Sequence, residues 1–301
     1  MPIRIDKLVS ERFALSRRGA QEAIRNGKVD LDGERCDEPG RVVAEDAAVA
    51  FFPARPKARR VHGGRLRVLH EDAHVLIVDK PAGLLTLPTA AHEPDTLLDR
   101  VGQYLALRHG GRPYAGIVHR LDKETSGALA FARSVEARRL LIDLFTAHDV
   151  ERQYLAVVEG AVARPEGEVR LNLVTDEGGR RRRVAHGPDE GRSAVTHYRV
   201  IERFGVEATL LACWLETGRT HQVRLHLAAI GHPVVGEPLY RPRSQPRSKA
   251  RSHRQALHAQ VLGLRHPITG RPLRVEAPVP DDLAALIADL RNRFGLPNAG
   301  G

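Results

Sequence analysis

Residues 116–132 read Gly-Ile-Val-His-Arg-Leu-Asp-Lys-Glu-Thr-Ser-Gly-Ala-Leu-Ala-Phe-Ala. Two strand-like segments, Gly116 to Val118 and Ala128 to Ala132, enclose a stretch dense in ionisable and hydroxyl side chains. Loops carried on a rigid scaffold are where catalytic groups tend to sit. Asp122 lies between Arg120 and Lys123, which favour its ionised form, so its carboxylate can act as a nucleophile or a base. The bland alternative is that Asp122 only caps a turn through its side chain.

Outward from this stretch the pattern is mixed. Val75-Leu76-Ile77-Val78 reads as a buried strand, broken by Lys80-Pro81-Ala82-Gly83. The spacing predicts helices over 96–106, 135–148, 219–230 and 283–294, and strands over 154–158, 195–201 and 210–215. The alternation is too irregular for a doubly wound parallel sheet. The fold class expected is α+β, with a mainly antiparallel mixed sheet.

The first fifty residues read as a separate small α+β unit. Helices are expected over 5–12 and 17–26, with Ser16 as N-cap and Gly27 as the left-handed stop. Asp32-Gly33 then signals a hairpin. Arg17, Arg18, Arg25 and Lys28 lie on or beside the second helix and suit an RNA backbone, though a solvated helix face would look similar. Residues 53–65 hold six basic residues, two prolines and two glycines without an acid, and read as a linker. The organisation expected is therefore 1–52, a basic linker over 53–65, and a second domain over 66–301, in keeping with about 150 residues per domain.

The chain of 301 residues carries 47 Lys and Arg against 37 Asp and Glu, a formal net charge of +10. That balance points to a polyanionic partner, nucleic acid before membrane surface, or to plain solubility. Arg180 to Arg183 is a run of arginines, and residues 241–254 hold six Lys or Arg with no acid, the composition of a disordered loop. Cys36 and Cys213 stand far apart, against a disulfide scaffold or structural zinc. No secretory h-region follows Met1, and apolar runs such as Leu210 to Leu215 fall far short of a span of about 20 residues. A cytoplasmic protein is expected. Patterns for P-loop, dinucleotide, zinc-protease and calcium sites are absent.

A second constellation, Thr217-Gly218-Arg219-Thr220-His221-Gln222-Val223-Arg224-Leu225-His226, offers donors suited to phosphate or to a buried ion pair. A metal reading is weak, because His221 and His226 are five residues apart and share no helix face. In Glu151-Arg152-Gln153-Tyr154, the tyrosine taken alone is a packing residue with a wet tip.

Together these segments resemble the pseudouridine synthases of the ribosomal large-subunit RluA type. The resemblance runs in order through Val78-Asp79-Lys80-Pro81-Ala82-Gly83, His119 to Gly127, Tyr154-Leu155-Ala156, Gly218 to Arg224, Gly231-His232-Pro233, Leu257-His258-Ala259 and His266 to Gly270. It covers roughly residues 66 to 280. The N-terminal unit is similar to the S4 RNA-binding domain through Arg4 to Leu8, Leu15-Ser16-Arg17, Ile24-Arg25, Gly27-Lys28-Val29 and Asp32-Gly33.

The resemblance implies isomerisation of uridine to pseudouridine in RNA, with no cofactor and no metal. It implies Asp122 as the essential carboxylate, either adding to C1′ or removing a sugar proton. Tyr154 would stack on the base and could take the C5 proton, Arg224 would pair with Asp122, and Leu257 would wall the pocket. Arg120 would fill the stack vacated by the flipped base. His119, Thr125, Arg219 and His221 complete the expected substrate contacts. The S4-like unit favours large-subunit (23S-type) ribosomal RNA over transfer RNA. A monomer with no membrane contact is expected. The competing readings are a non-catalytic RNA-binding assembly factor, a metal-dependent nuclease or hydrolase, and an S4 module joined to an unrelated domain.

Overall fold

The computed structural model describes residues 2–55, 66–89, 95–111, 113–175, 182–187, 189–242 and 248–294. The chain divides into two units, Met1–Gly64 with Pro88–Asp95, and Arg65–Leu87 with Thr96–Gly301.

In the first unit the elements are β1 (Pro2–Arg4), α1 (Ile5–Arg12), α2 (Arg17–Arg25), β2 (Val29–Leu31), β3 (Glu34–Cys36), β4 (Val42–Ala44) and β5 (Val49–Phe51). Ser16 accepts a hydrogen bond from the Gly19 amide at 3.0 Å, so its hydroxyl serves one of the free first-turn donors of α2. Gly27, at φ 65°, ends that helix in the left-handed region. Asp32 and Gly33 both take positive φ, 53° and 84°, as the expected hairpin turn between β2 and β3 requires. Ile5, Val9, Ala20, Ile24, Val29 and Leu31 form the core. Pro53 to Arg55, read from the sequence as linker, are instead tied to this unit. Lys28 Nζ donates to the Pro53 carbonyl at 2.6 Å, and Arg55 holds Asp30 through both carboxylate oxygens, one at 2.7 Å. The remainder of that stretch, 56–65, lies outside the described residues.

The second unit is built on β6 (Arg67–Glu71), β7 (Val75–Lys80), α3 (Leu97–His109), β8 (Gly116–Ile117), β9 (Ser126–Ala132), α4 (Val135–Thr146), β10 (Val150–Glu159), β11 (Glu166–Thr175), β12 (Arg182–Val184), β13 (Arg192–Phe204), β14 (Ala208–Leu215), α5 (Gln222–Ala229), β15 (Leu257–Arg265), β16 (Pro272–Glu276) and α6 (Asp281–Phe294). Among the described residues these strands form one sheet in the order β12-β11-β13-β14-β10-β15-β9-β7-β6, with β16 beside β15 and β8 beside β9. Every pairing is antiparallel except β9 with β15. The α+β class and the mainly antiparallel mixed sheet expected from the sequence are what the chain forms.

The continuous apolar run in β7 has a simple cause. Val75 and Ile77 pack with Ala137 and Leu141 of α4, whereas Leu76 and Val78 pack with Leu97, Val101 and Leu105 of α3. A strand buried on both faces shows no alternation. α6 covers another region of the sheet, with Leu283, Ile287 and Leu290 beside Phe204 and Leu211. Each fully buried leucine contributes about 2 kcal/mol of transfer free energy.

The parallel pairing is short. It joins Ser126 to His258 and Gly127 to Ala259. Gly127 has φ 118°, and a Cβ there would fall 2.1 Å from the Ala259 carbonyl oxygen. Only glycine permits that approach. The motif-bearing stretch 116–132 thus runs through the point where the two parts of the sheet are joined.

Two expectations change. The helix read from Arg219 begins only at Gln222, because Thr217 to His221 form a turn with His221 in the left-handed region at φ 58°. The basic segment 241–254 is tied down at both ends. Arg241 pairs with Glu159 at 3.1 Å, and buried Arg254 holds Asp282 with 2.5 and 2.9 Å hydrogen bonds. Residues 243–247 of that segment, and 180–181 of the arginine run, lie outside the described residues.

Candidate active site

Asp122 sits on the connection from β8 to β9, and that connection is held by its backbone. The Thr86 hydroxyl donates to the Leu121 carbonyl at 2.9 Å. Lys80, fully buried, donates to the carbonyls of Pro81, Leu84 and Lys123 at 2.9, 2.7 and 2.9 Å. Burial pushes this ammonium down to about 7, against the attraction of Glu124 and Asp122. Arg254 Nη1 donates to the Glu124 carbonyl at 3.0 Å. Gln255 donates to the Thr125 hydroxyl at 2.7 Å. Three side chains distant in sequence, Thr86, Lys80 and Arg254, therefore fix the backbone on either side of Asp122, and Gln255 holds the Thr125 side chain, which leaves the Asp122 carboxylate to be aimed by others.

Arg224, from α5, does the aiming. Its Nη1 reaches Asp122 Oδ2 at 2.9 Å, while Nε and Nη2 form a two-bond fork to Glu237 at 2.7 and 2.8 Å. The Arg224 side chain is 4% exposed and that of Asp122 19%, so the pair is shielded but open on the Asp122 side. Burial opposes the guanidinium charge, but hydrogen bonds and attraction from Glu237, then Asp122, outweigh it and raise its pKa above the ordinary value. Glu237 is itself held by the amides of Leu239 and Tyr240 at 2.9 and 3.3 Å. A buried ion pair of this kind contributes orientation more than net stability.

The other flank of Asp122 is His221, whose Nε2 lies 3.7 Å from Oδ1 and whose Nδ1 bonds the Tyr240 hydroxyl. Burial pushes its imidazole pKa down, with Asp122 pulling the other way. Gln222 organises the turn before α5. Its Oε1 accepts from Thr217 Oγ1 and the Arg219 amide, and its Nε2 donates to the Val195 carbonyl. His226 turns away, buried with neither ring nitrogen bonded, and burial pushes it down to about 4.

A cavity of about 570 Å³ opens over Asp122. His119, Arg120, Asp122, Thr125, Tyr154, Arg219, His221, Arg224 and Leu257, each singled out from the sequence, all line it. Tyr154 reaches it opposite a bulge whose extra residue, Gln260, lies on β15, so β10 itself keeps its alternation through Arg152 and Tyr154. Burial pushes its phenol up to about 12, so it stays protonated near neutrality. His119 stacks on Phe145 with ring centroids 4.5 Å apart, and its Nε2 accepts the Ala130 amide. Burial pushes it down to about 3, so the ring is neutral. Arg120 is exposed at the cavity edge, and Arg219 Nε donates to the Ser193 carbonyl at 3.3 Å. In the first unit Arg17, Arg18 and Arg25 are exposed along α2, whereas Lys28 is occupied by the Pro53 carbonyl.

Sequence reading missed Glu237, Tyr240, Thr86, Arg254, Gln255 and the cavity residues Arg152 and Arg192. Thr86, Glu237, Arg254 and Gln255 carry no local signal, since Leu121, Arg224, Glu124 and Thr125, which they hold, lie far along the chain. Among the described residues, Glu168, His197 and Glu216 form the cluster with metal-ligand spacing, and it does not include Asp122. No described helix is long and apolar enough to cross a membrane.

Residues 74–229 match the family described as RNA pseudouridylate synthase, and residues 3–49 match the S4 domain. The chain is 40% identical over 299 residues to the ribosomal large subunit pseudouridine synthase D of Xanthomonas campestris pv. campestris, covering 96% of this chain and 89% of that one. It is 35% identical over 303 residues to the protein of the same name from Escherichia coli K12, covering 97% and 91%. The human RNA pseudouridylate synthase domain containing 4 shares the fold, with a TM-score of 0.62 at 23% identity over 75% of this chain and 93% of that one.

Proposed function

Because the chain belongs to the RNA pseudouridylate synthase family, we propose that it isomerises uridine to pseudouridine in large-subunit ribosomal RNA, with Asp122 as the reacting carboxylate. The observation that carries this reading is the Asp122 carboxylate held at 2.9 Å by a buried arginine on one side and open to the cavity on the other. The substrate class follows the named relatives and the S4 match.

The isomerisation breaks the N1–C1′ bond, turns the uracil, forms C5–C1′ and moves the C5 proton, with no net change in atoms or electrons. A uracil inside a helix must first be flipped out, at a cost of a few kcal/mol. Arg120, exposed at the edge of the cavity, is suited to fill the gap. Asp122 then adds to C1′ or takes a sugar proton, and both routes need an oriented carboxylate, which Arg224 holds while Glu237 fixes Arg224. Tyr154 and Leu257 offer the apolar faces that receive the base. The raised pKa of Tyr154 favours it as a stacking phenol over a standing base. The remaining parts of the proposal are the S4-like unit over 1–52 as an RNA-backbone reader through Arg17, Arg18 and Arg25, and a monomer acting in the cytoplasm.

The test deletes the gene in its host and maps pseudouridines in total RNA by carbodiimide primer extension. One large-subunit uridine is expected to lose its signal. Wild type restores it and Asp122→Asn does not, with a rate reduced by about 10³-fold or more. Loss of a transfer RNA site instead would overturn the substrate class and leave the chemistry standing.

A further inference from the structure

Arg152 is a buried cation of this cavity whose charge no carboxylate meets among the described residues. Its residue is 8% exposed. Nη2 donates to the carbonyls of Leu215 and Glu216 at 3.3 and 3.0 Å, which are neutral acceptors. Nε is buried without a partner. Nη1 makes no hydrogen bond with any described residue and lies against Gly218, where an added Cβ would stand 2.5 Å from it. Arg224, equally buried, shows the contrast, since Glu237 and Asp122 both meet its charge.

A guanidinium does not lose its proton in a protein, so Arg152 cannot escape the cost of burial by becoming neutral. Removing a charge from water without a counter-ion is strongly unfavourable. Burial does push its pKa below the ordinary value, and nearby Tyr154 opposes that only weakly. Such a group is retained where an anion from outside completes it. Within a uridine unit the uracil and ribose are neutral, and the phosphodiester alone carries a permanent charge. Arg192 and Arg219 line the same cavity, so Arg152 is joined there by further cationic side chains. Arg152 also stands two residues before Tyr154 on β10, and residues at that spacing share one face of a strand.

We propose that Arg152 Nη1 anchors a phosphodiester flanking the flipped uridine, so that the sugar is held in register with Asp122 while the base meets Tyr154. A Cβ added at Gly218 would push this Nη1 aside. The proposal rests on the enzyme reading above. It makes Arg152 a substrate-binding residue and not merely a brace for the end of β14.

The experiment uses the full chain and a transcript of the host's large-subunit ribosomal RNA. If the wild-type protein isomerises no uridine in it, the enzyme reading itself fails, whatever Arg152 does. Given wild-type activity, affinity is measured across a salt series for wild type, Arg152→Gln and Arg152→Lys. Each phosphate that the protein no longer neutralises flattens the slope of log K against log salt by about 0.7. Arg152→Gln is expected to show that flattening, with KM raised about tenfold and kcat changed less, while Arg152→Lys keeps the wild-type slope. An unchanged slope in Arg152→Gln would mean a brace only and overturn the proposal. Should Arg152→Gln not fold, Gly218→Ala with a synthetic substrate carries the test. Neutral methylphosphonates replace the flanking phosphodiesters one at a time. One position is expected to weaken wild type about tenfold and to have no effect on Gly218→Ala. Equal effects on both proteins at every position would sink the idea.

Discussion

At the residue scale the site is a relay of charge from Glu237 through Arg224 to Asp122. Glu237 is buried and is held by two amides, one carboxylate oxygen of it serving both Leu239 and Tyr240. It does not line the cavity, so it influences the reaction through the residues it holds, Arg224 first and the Tyr240 amide second. Glu237→Gln removes the charge that holds the guanidinium fork but keeps the shape. The expected result is kcat lower by about 10²-fold, as a small misplacement of a reacting group commonly costs. KM for RNA should stay near wild type. Steady-state kinetics on the substrate transcript separates the two, and a change confined to KM would contradict the relay. Asp122 and Arg224 were legible in the sequence because they lie in dense, ordered motifs. Glu237 was not, because an isolated glutamate before Pro238-Leu239-Tyr240 looks like any surface acid until the fold buries it.

At the scale of elements, the decisive feature is the crossing of β9 and β15. Two residue pairs carry it, and Gly127 makes it possible by leaving room for the Ala259 carbonyl. Gly127→Ala would meet both a positive φ and a backbone atom that cannot move aside. We expect a loss of about 3 kcal/mol in urea unfolding, near the top of what overpacking and backbone strain produce. A stability within experimental error of wild type would show that the crossing tolerates separation. The helices α3, α4 and α6 were readable from periodicity and capping. Ser134 caps α4 and Thr96 caps α3, each accepting from an amide three residues on. Strands β11 and β16 were passed over, although Glu168-Val169-Arg170-Leu171-Asn172-Leu173 and Leu273-Arg274-Val275-Glu276 alternate polar with apolar as half-buried strands do. Pairing with β13 and β15 makes them strands.

At the scale of the whole molecule, a net charge of +10 predicts RNA affinity that falls steeply with salt. The exposed arginines of α2 are one definable part of that charge. Replacing Arg17, Arg18 and Arg25 together by alanine is expected to flatten the salt slope by about 2, at about 0.7 per phosphate. The rate on saturating RNA should stay unchanged, because none of the three lines the cavity. Filter binding across a salt series reads the first, and single-turnover isomerisation the second. An unaltered slope would mean that these arginines are only a solvated face.

Local pattern was enough to specify the α+β class, the separate N-terminal unit and the residues in dense motifs around Asp122, Tyr154 and Arg224. Capping hydroxyls, turn glycines, apolar periodicity and ordered polar clusters are all visible in one dimension. Which side chains meet is a property of the folded chain. Folding buried Glu237 under Arg224, turned His226 away from the site, brought Tyr154 into the cavity beside a bulge and left Arg152 with no counter-ion among the described residues. The physical reason is that burial and electrostatic partnership depend on distance in space, and residues 122, 152, 224 and 237 come together only when β10, α5 and the β8–β9 connection pack around one cavity.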